Sequence, residues 1–220
     1  RVDVTNNRKE TALIVATQNT TCRAMATLIR LGVEINLQDV QGNTALHYAV
    51  WTMSEKAVEI LSAAAADFNI PNSDGHDPST RTRLNKTPLH IAVELNYFPM
   101  IKLLARTQNI NNTDDNGHSA LTIAVDRGIE TVVDVFLQHD ATITQLDKAG
   151  NSMLHIACTG KSANILRHMF ENFLDLNIRN LSEETPLHLA CALNNTAVVS
   201  ELCARRADIT SQDSRKRPPL

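Results

Sequence analysis

Aromatic side chains are scarce in this chain: Phe, Trp and Tyr together make up 4% of 220 residues, and there is one Trp. A core without many rings must be filled by Ala, Leu, Ile and Val, which favours close helix packing and points to a helical protein. A charge excess is missing too. With 21 Lys and Arg against 24 Asp and Glu, the net charge of −3 leaves no basic surplus for collecting phosphates, so bulk binding of nucleic acid is excluded. Long apolar runs are absent as well. The longest candidate, Ile60 to Ala66, is far short of the ~20 residues that span a membrane, which gives a soluble chain with no membrane contact from this segment. The four cysteines, Cys22, Cys158, Cys191 and Cys203, form no CxxC pair and are too few for a secreted disulfide framework. This predicts an intracellular protein, cytoplasmic or nuclear. The apparatus of catalysis is equally lacking: no GxSxG, no HExxH and no Cys-His pairing at metal spacing, hence no catalytic residue, metal or cofactor is expected.

What the chain does have is a period. One phrase recurs as Thr11-Ala-Leu-Ile-Val-Ala16, Thr44-Ala-Leu-His-Tyr-Ala49, Thr87-Pro-Leu-His-Ile-Ala92, Ser119-Ala-Leu-Thr-Ile-Ala124, Ser152-Met-Leu-His-Ile-Ala157 and Thr185-Pro-Leu-His-Leu-Ala190. The steps between the leading hydroxyl residues are 33, 43, 32, 33 and 33, and a further 33 reaches Pro218-Pro219-Leu220. Thr or Ser before an apolar run can accept from the free N–H groups of a helix start, and Pro at the next position has its φ already set for the first turn. The phrase therefore opens a helix. Apolar residues continue for about two turns, break at Asn96, Gly128 or Asn194, and resume in groups such as Ala57-Val-Glu-Ile-Leu61 and Val132-Val-Asp-Val-Phe136. Each unit is thus a helical hairpin. Between units stand Asp39, Asn72, Asp114, Asp147, Asn180 and Asp213, three of them followed three residues later by Gly42, Gly117 and Gly150, which are turn residues.

The period of 33 and the Thr-Pro-Leu-His phrase resemble the ankyrin repeat, and the match covers essentially the whole chain. The resemblance implies an all-α fold, an ankyrin-repeat solenoid of helix-turn-helix units joined by β-hairpin-like fingers. We expect one array over 1–220, with six units starting near 6, 39, 72, 114, 147 and 180 and a truncated seventh from 213, and an insertion at 76–85 between units two and three. Unit one is as apolar as an internal unit, so Leu13 and Val15 should expose apolar surface, with further ankyrin repeats on both sides in a longer parent chain.

In the family the hallmark His is structural, bonding the hallmark Thr and a neighbouring backbone group. His47, His90, His155 and His188 accordingly read as structural residues, and the two units with Ile14 and Thr122 instead should be looser at the turn. Cys158 and Cys191, one repeat apart on first helices whose axes should lie ~8 to 10 Å apart, are expected to be buried thiols without a bridge. Thr159-Gly-Lys-Ser162 lacks the earlier Gly of a phosphate loop, and Asn112 to Gly117 lacks the terminal Glu of a calcium loop.

Binding surfaces in the family comprise finger tips and the ends of first helices. Carried over, the candidate partner-binding residues are Trp51, Thr52, Glu94, Leu95, Asp126 and Arg127, joined by Arg81, Arg83 and Lys86 from the insertion and its edge. Trp51 is either an interface anchor or the filler of a local gap. The insertion is either part of the binding face or a solvated loop. The leading functional reading is a non-catalytic platform for a partner protein or peptide. The competing readings are the substrate-recognition region of a larger enzyme, such as a ubiquitin ligase of the mind bomb type, and a scaffold segment of a channel or cytoskeletal adaptor.

Overall fold

The computed structural model describes residues 2–73, 85–106, 110–160, 163–171 and 175–220. Among them lie twelve helices in six consecutive pairs: α1 (Ala12–Gln18) and α2 (Cys22–Arg30), α3 (Ala45–Trp51) and α4 (Glu55–Ala63), α5 (Pro88–Glu94) and α6 (Phe98–Leu104), α7 (Ala120–Arg127) and α8 (Glu130–Gln138), α9 (Met153–Thr159) and α10 (Ala163–Glu171), α11 (Pro186–Ala192) and α12 (Thr196–Ala204). No helix among the described residues is long and apolar enough to cross a membrane.

Every first helix opens where the hydroxyl residue predicts. Thr11, Thr44, Thr87, Ser119, Ser152 and Thr185 are the N-caps, all with extended backbone, and Pro88 and Pro186 occupy the first turn. The breaks between paired helices fall at left-handed residues: Thr20, Met53, Asn96, Gly128 and Asn194 all have φ between 51° and 74°. Two of these, Thr20 and Met53, carry no local mark of that conformation.

Packing follows the phrase. Five of its six terminal alanines, Ala49, Ala92, Ala124, Ala157 and Ala190, are at most 1% exposed and the sixth, Ala16, is 8% exposed; a methyl there lets neighbouring first helices approach closely. The chain forms two compact units, residues 1–115 and 116–220. In the first, α1 packs on α3 and α3 on α5, with α2 on α4 behind them; in the second, α7 packs on α9 and α9 on α11, with α8 on α10 and α10 on α12.

The fingers between hairpins are shaped by side-chain turns. Asp39 Oδ1 accepts from the N–H groups of Gln41 and Asn43, both at 2.8 Å, and Asp147, Asn180 and Asp213 repeat the arrangement. Adjacent fingers are tied by single backbone bonds, Ser73 N–H to Gln41 O at 2.8 Å and Leu181 N–H to Ala149 O at 2.9 Å among them. An isolated bridge joins Thr5 to Thr11, and no strand ladder occurs among the described residues.

Two expectations need correction. Leu13 is 1% exposed, on a helix packed against both α2 and α3; the uncovered face of unit one is carried by Ala12, Val15 and Ala24. Cys158 is buried as expected, but Cys191 is only part-buried, bordering an open trough with His188, Ala192 and Pro219.

Candidate functional site

The hallmark histidines are withdrawn from chemistry by their hydrogen bonds. The Thr44 backbone N–H donates to His47 Nδ1 at 3.1 Å, and since that N–H can only donate, Nδ1 is the acceptor and Nε2 carries the proton. Nε2 then donates to the Lys86 carbonyl at 3.2 Å. His155 and His188 bridge in the same way to Glu184 O and Arg217 O, at 2.9 and 3.1 Å. Each imidazole caps its own helix and holds the next finger, with no nitrogen left for a metal. Burial pushes His47 down to about 4, against the pull of the Lys86 carbonyl and Asp39. Among the described residues, no group of three or more His, Cys, Asp or Glu is placed to hold a metal ion. Lys161 and Ser162 of the phosphate-loop look-alike lie outside the described residues, and Gly160 before them has extended backbone.

Trp51 is the last residue of α3 and is half-buried. Its ring meets Tyr48 edge-on, 5.1 Å between centroids and 76° between planes, and lies 6.2 Å from His47. Tyr48 is itself held, its hydroxyl donating to Asp39 Oδ2 at 2.6 Å; burial first and this bond second push its pKa up to about 12. The result is a rigid aromatic step at the end of a first helix, with the indole partly open. Thr52 follows as the exposed C-cap, its hydroxyl donating to Tyr48 O at 2.9 Å.

Glu94 and Leu95 occupy the equivalent positions at the end of α5, which packs on α3. Lys86 and Glu94 form an ion pair with side chains 12% and 26% exposed. Lys86 therefore braces its finger against α5, while its carbonyl receives His47, so its ammonium is not an open donor of the kind expected from the sequence. Arg81 and Arg83 lie outside the described residues. Asp126 and Arg127 are exposed at the end of α7, in the other compact unit. The structure thus brings Trp51, Thr52, Glu94 and Leu95 to the ends of one pair of packed first helices, with Lys86 in the adjoining finger paired to Glu94. Tyr48 was missed: it stands where four of the other repeats have Ile or Leu and one has Val, and that substitution beside the lone Trp was the mark that could have found it.

Hairpins that stack through alanine-lined helices, tied by capping imidazoles and finger bonds, define a helical-repeat protein. The family model described as ankyrin repeats (3 copies) matches residues 1–72, 74–147 and 131–213, and the chain belongs to the ankyrin-repeat family. It is similar to the B-cell lymphoma 3 protein homolog of Mus musculus, 28% identical over 191 residues, covering 86% of this chain and 41% of that protein. It is also similar to the nuclear factor NF-kappa-B p105 subunit of Gallus gallus, 28% identical over 164 residues, with 72% of this chain and 16% of that one covered. The neurogenic locus notch homolog protein 1 of Homo sapiens is 28% identical over 157 residues, 70% of this chain and 6% of that protein. This chain therefore spans less than half the length of these relatives. Among solved structures, the ankyrin repeat domain of Bcl-3, described as a member of the IkappaB family, superposes with a TM-score of 0.80 at 23% identity, covering 96% of this chain and 92% of that one.

Proposed function

We propose that this chain is a non-catalytic protein-binding module, inside the cell, which holds a partner protein or peptide at the ends of its first helices and at its finger tips. The observation that carries the reading is the Trp51 step: a part-exposed indole, held against Tyr48 and His47, at the end of a first helix. Anchors of this kind lose little rotamer freedom on binding, and removing one costs ~2 to 4 kcal/mol. Thr52, Glu94 and Leu95 complete the site in the first unit, and Asp126 and Arg127, at the end of a first helix of the second unit, are proposed as partner contacts of that unit by itself. Arg81 and Arg83, outside the described residues, are proposed to add positive charge, which acts on association rate and salt dependence. Relatives named as NF-kappa-B and Bcl-3 proteins support an intracellular interaction role.

The six repeats act as one array over 1–220 in this proposal, and the array continues beyond it. The support is local: Ala12 and Ala24 are exposed on unit one, whereas the equivalent Ala45 and Ala57 are completely buried by the preceding hairpin. The same stacking face is thus open on α1 and α2, and a further ankyrin repeat fits it. The test of function is a photocrosslinking residue at position 51, compared with one at Glu59 on the outer helix α4. Partner adducts from position 51 alone support the groove; adducts from position 59 alone overturn it.

A further inference from the structure

Repeat four breaks the hallmark, and the break leaves a pocket. In repeats two, five and six the imidazole reaches the carbonyl of the residue just before the next hydroxyl cap, at Lys86, Glu184 and Arg217. The equivalent carbonyl for repeat four is that of Asn151, immediately before Ser152. Position 122, however, is Thr. Its short side chain turns to Ser119, Oγ to Oγ1 at 3.0 Å, and does not span the gap. The Asn151 carbonyl accepts from Asp147 N–H at 3.0 Å and has no imidazole donor. Between Thr122 and Asn151 lies a pocket of about 250 Å³.

Its walls define what it can take. Ile123 and Ile156 supply apolar surface, while Asp126 stands exposed at its edge with no hydrogen-bond or ion-pair partner among the described residues. Asp147, its side chain 8% exposed, accepts from Asn151 Nδ2 at 2.9 Å and is approached by His118 Nε2 at 3.6 Å, too far for a full hydrogen bond. No Lys or Arg lines the pocket. A ligand here should therefore bring N–H donors for the Asn151 carbonyl, positive charge for the carboxylates and an apolar stem for the isoleucines. The volume is below the ~300 to 1,000 Å³ typical of sites for whole small molecules, so one side chain suits it better than a free metabolite.

From this geometry we infer that the Thr122 pocket is a recognition site for an arginine side chain of a partner protein or peptide. The guanidinium offers five N–H donors in a planar fork, so one edge can serve the Asn151 carbonyl while another faces Asp126. A lysine has charge but not the fork. The site lies in the second compact unit and does not depend on Trp51.

The test is an NMR titration of the whole chain with N-acetyl-arginine amide, with N-acetyl-lysine amide and N-acetyl-norleucine amide as controls. The arginine probe should shift the amides of Thr122, Asp126 and Asn151, the norleucine probe should not, and the lysine probe should bind at least five-fold more weakly. Thr122→His is the decisive variant, because it rebuilds the hallmark imidazole, fills the pocket and should raise the melting temperature while abolishing the shifts. Asp126→Asn should weaken binding several-fold without affecting the fold. Shifts that persist in Thr122→His, or that norleucine reproduces, overturn the assignment. So does equal binding of lysine. Trp51→Ala should leave the arginine shifts unchanged, so failure of the groove reading and failure of this one are separable.

Discussion

An imidazole buried as a neutral bridge makes stability depend on pH in a definite direction. His47 has its folded value pushed to about 4 from the ordinary 6.5, with burial as the main cause. Above pH 6.5 neither state is protonated and the bridge is intact. As the pH falls from 6.5 towards 4 the unfolded chain takes up a proton that the folded chain refuses, a loss on the order of 3 kcal/mol at the lower end. His155 is shifted in the same direction. The melting temperature should therefore fall through this window, and less steeply in His47→Gln; a flat profile from pH 7 to 4.5 would contradict the bridge. The cysteines give a second prediction. Burial pushes Cys158 up to about 12, whereas Cys191 is raised but part-exposed, so a thiol reagent should modify Cys191 in the folded state and Cys158 only after unfolding. At this scale the sequence was readable where a residue recurs in register, as the histidines do. It was not readable for Leu13 and Lys86, whose surroundings depend on which neighbour turns towards them.

The hairpins were legible because their signals are local: a hydroxyl, then Pro or a small residue, then two turns of apolar spacing. The fingers were legible only in part. Gly42, Gly117 and Gly150 announced left-handed backbone, yet Lys9, Asn85, Glu183 and Lys216 adopt it at the same place without any such mark. Their conformation is imposed by the Asx turn and by the rung to the adjacent finger. A Cβ at Gly42 would sit 2.6 Å from the Ser73 backbone nitrogen, the donor of that rung, and φ there is +78°. Gly42→Ala should thus cost roughly 1 to 3 kcal/mol, combining backbone strain with a displaced finger. Gly32 offers the control, since its φ is also +78° but a Cβ would meet nothing within 4 Å. Urea unfolding of both variants should show the larger loss for Gly42→Ala. Equal losses would mean that the finger rungs contribute little.

For the molecule as a whole, the period of 33 disclosed the family, because a stacked repeat writes the same physical requirements into every unit. The partner surface was less readable. Function in such a fold resides where repeats differ, and one sequence shows the differences without showing which of them face a partner. Trp51 stood out by its rarity, whereas the Thr122 pocket emerged only once the imidazole bridges of the other repeats were in place to show what was missing. Adding a further repeat ahead of α1 should cover Ala12, Val15 and Ala24 and raise the unfolding midpoint; an unchanged midpoint would mean that the polar segment before α1 already shields that face.

The groove reading stands or falls on Trp51→Ala. The wild type and the variant, matched for folded fraction by circular dichroism, are to be titrated by calorimetry against a partner recovered through the position 51 crosslink. Affinity should drop ~30-fold or more while the melting temperature stays within a few degrees, since the indole is part-exposed at the end of its helix. A sharp fall in melting temperature, with the folded fraction still binding at wild-type affinity, would show that Trp51 is packing and that the partner sits elsewhere.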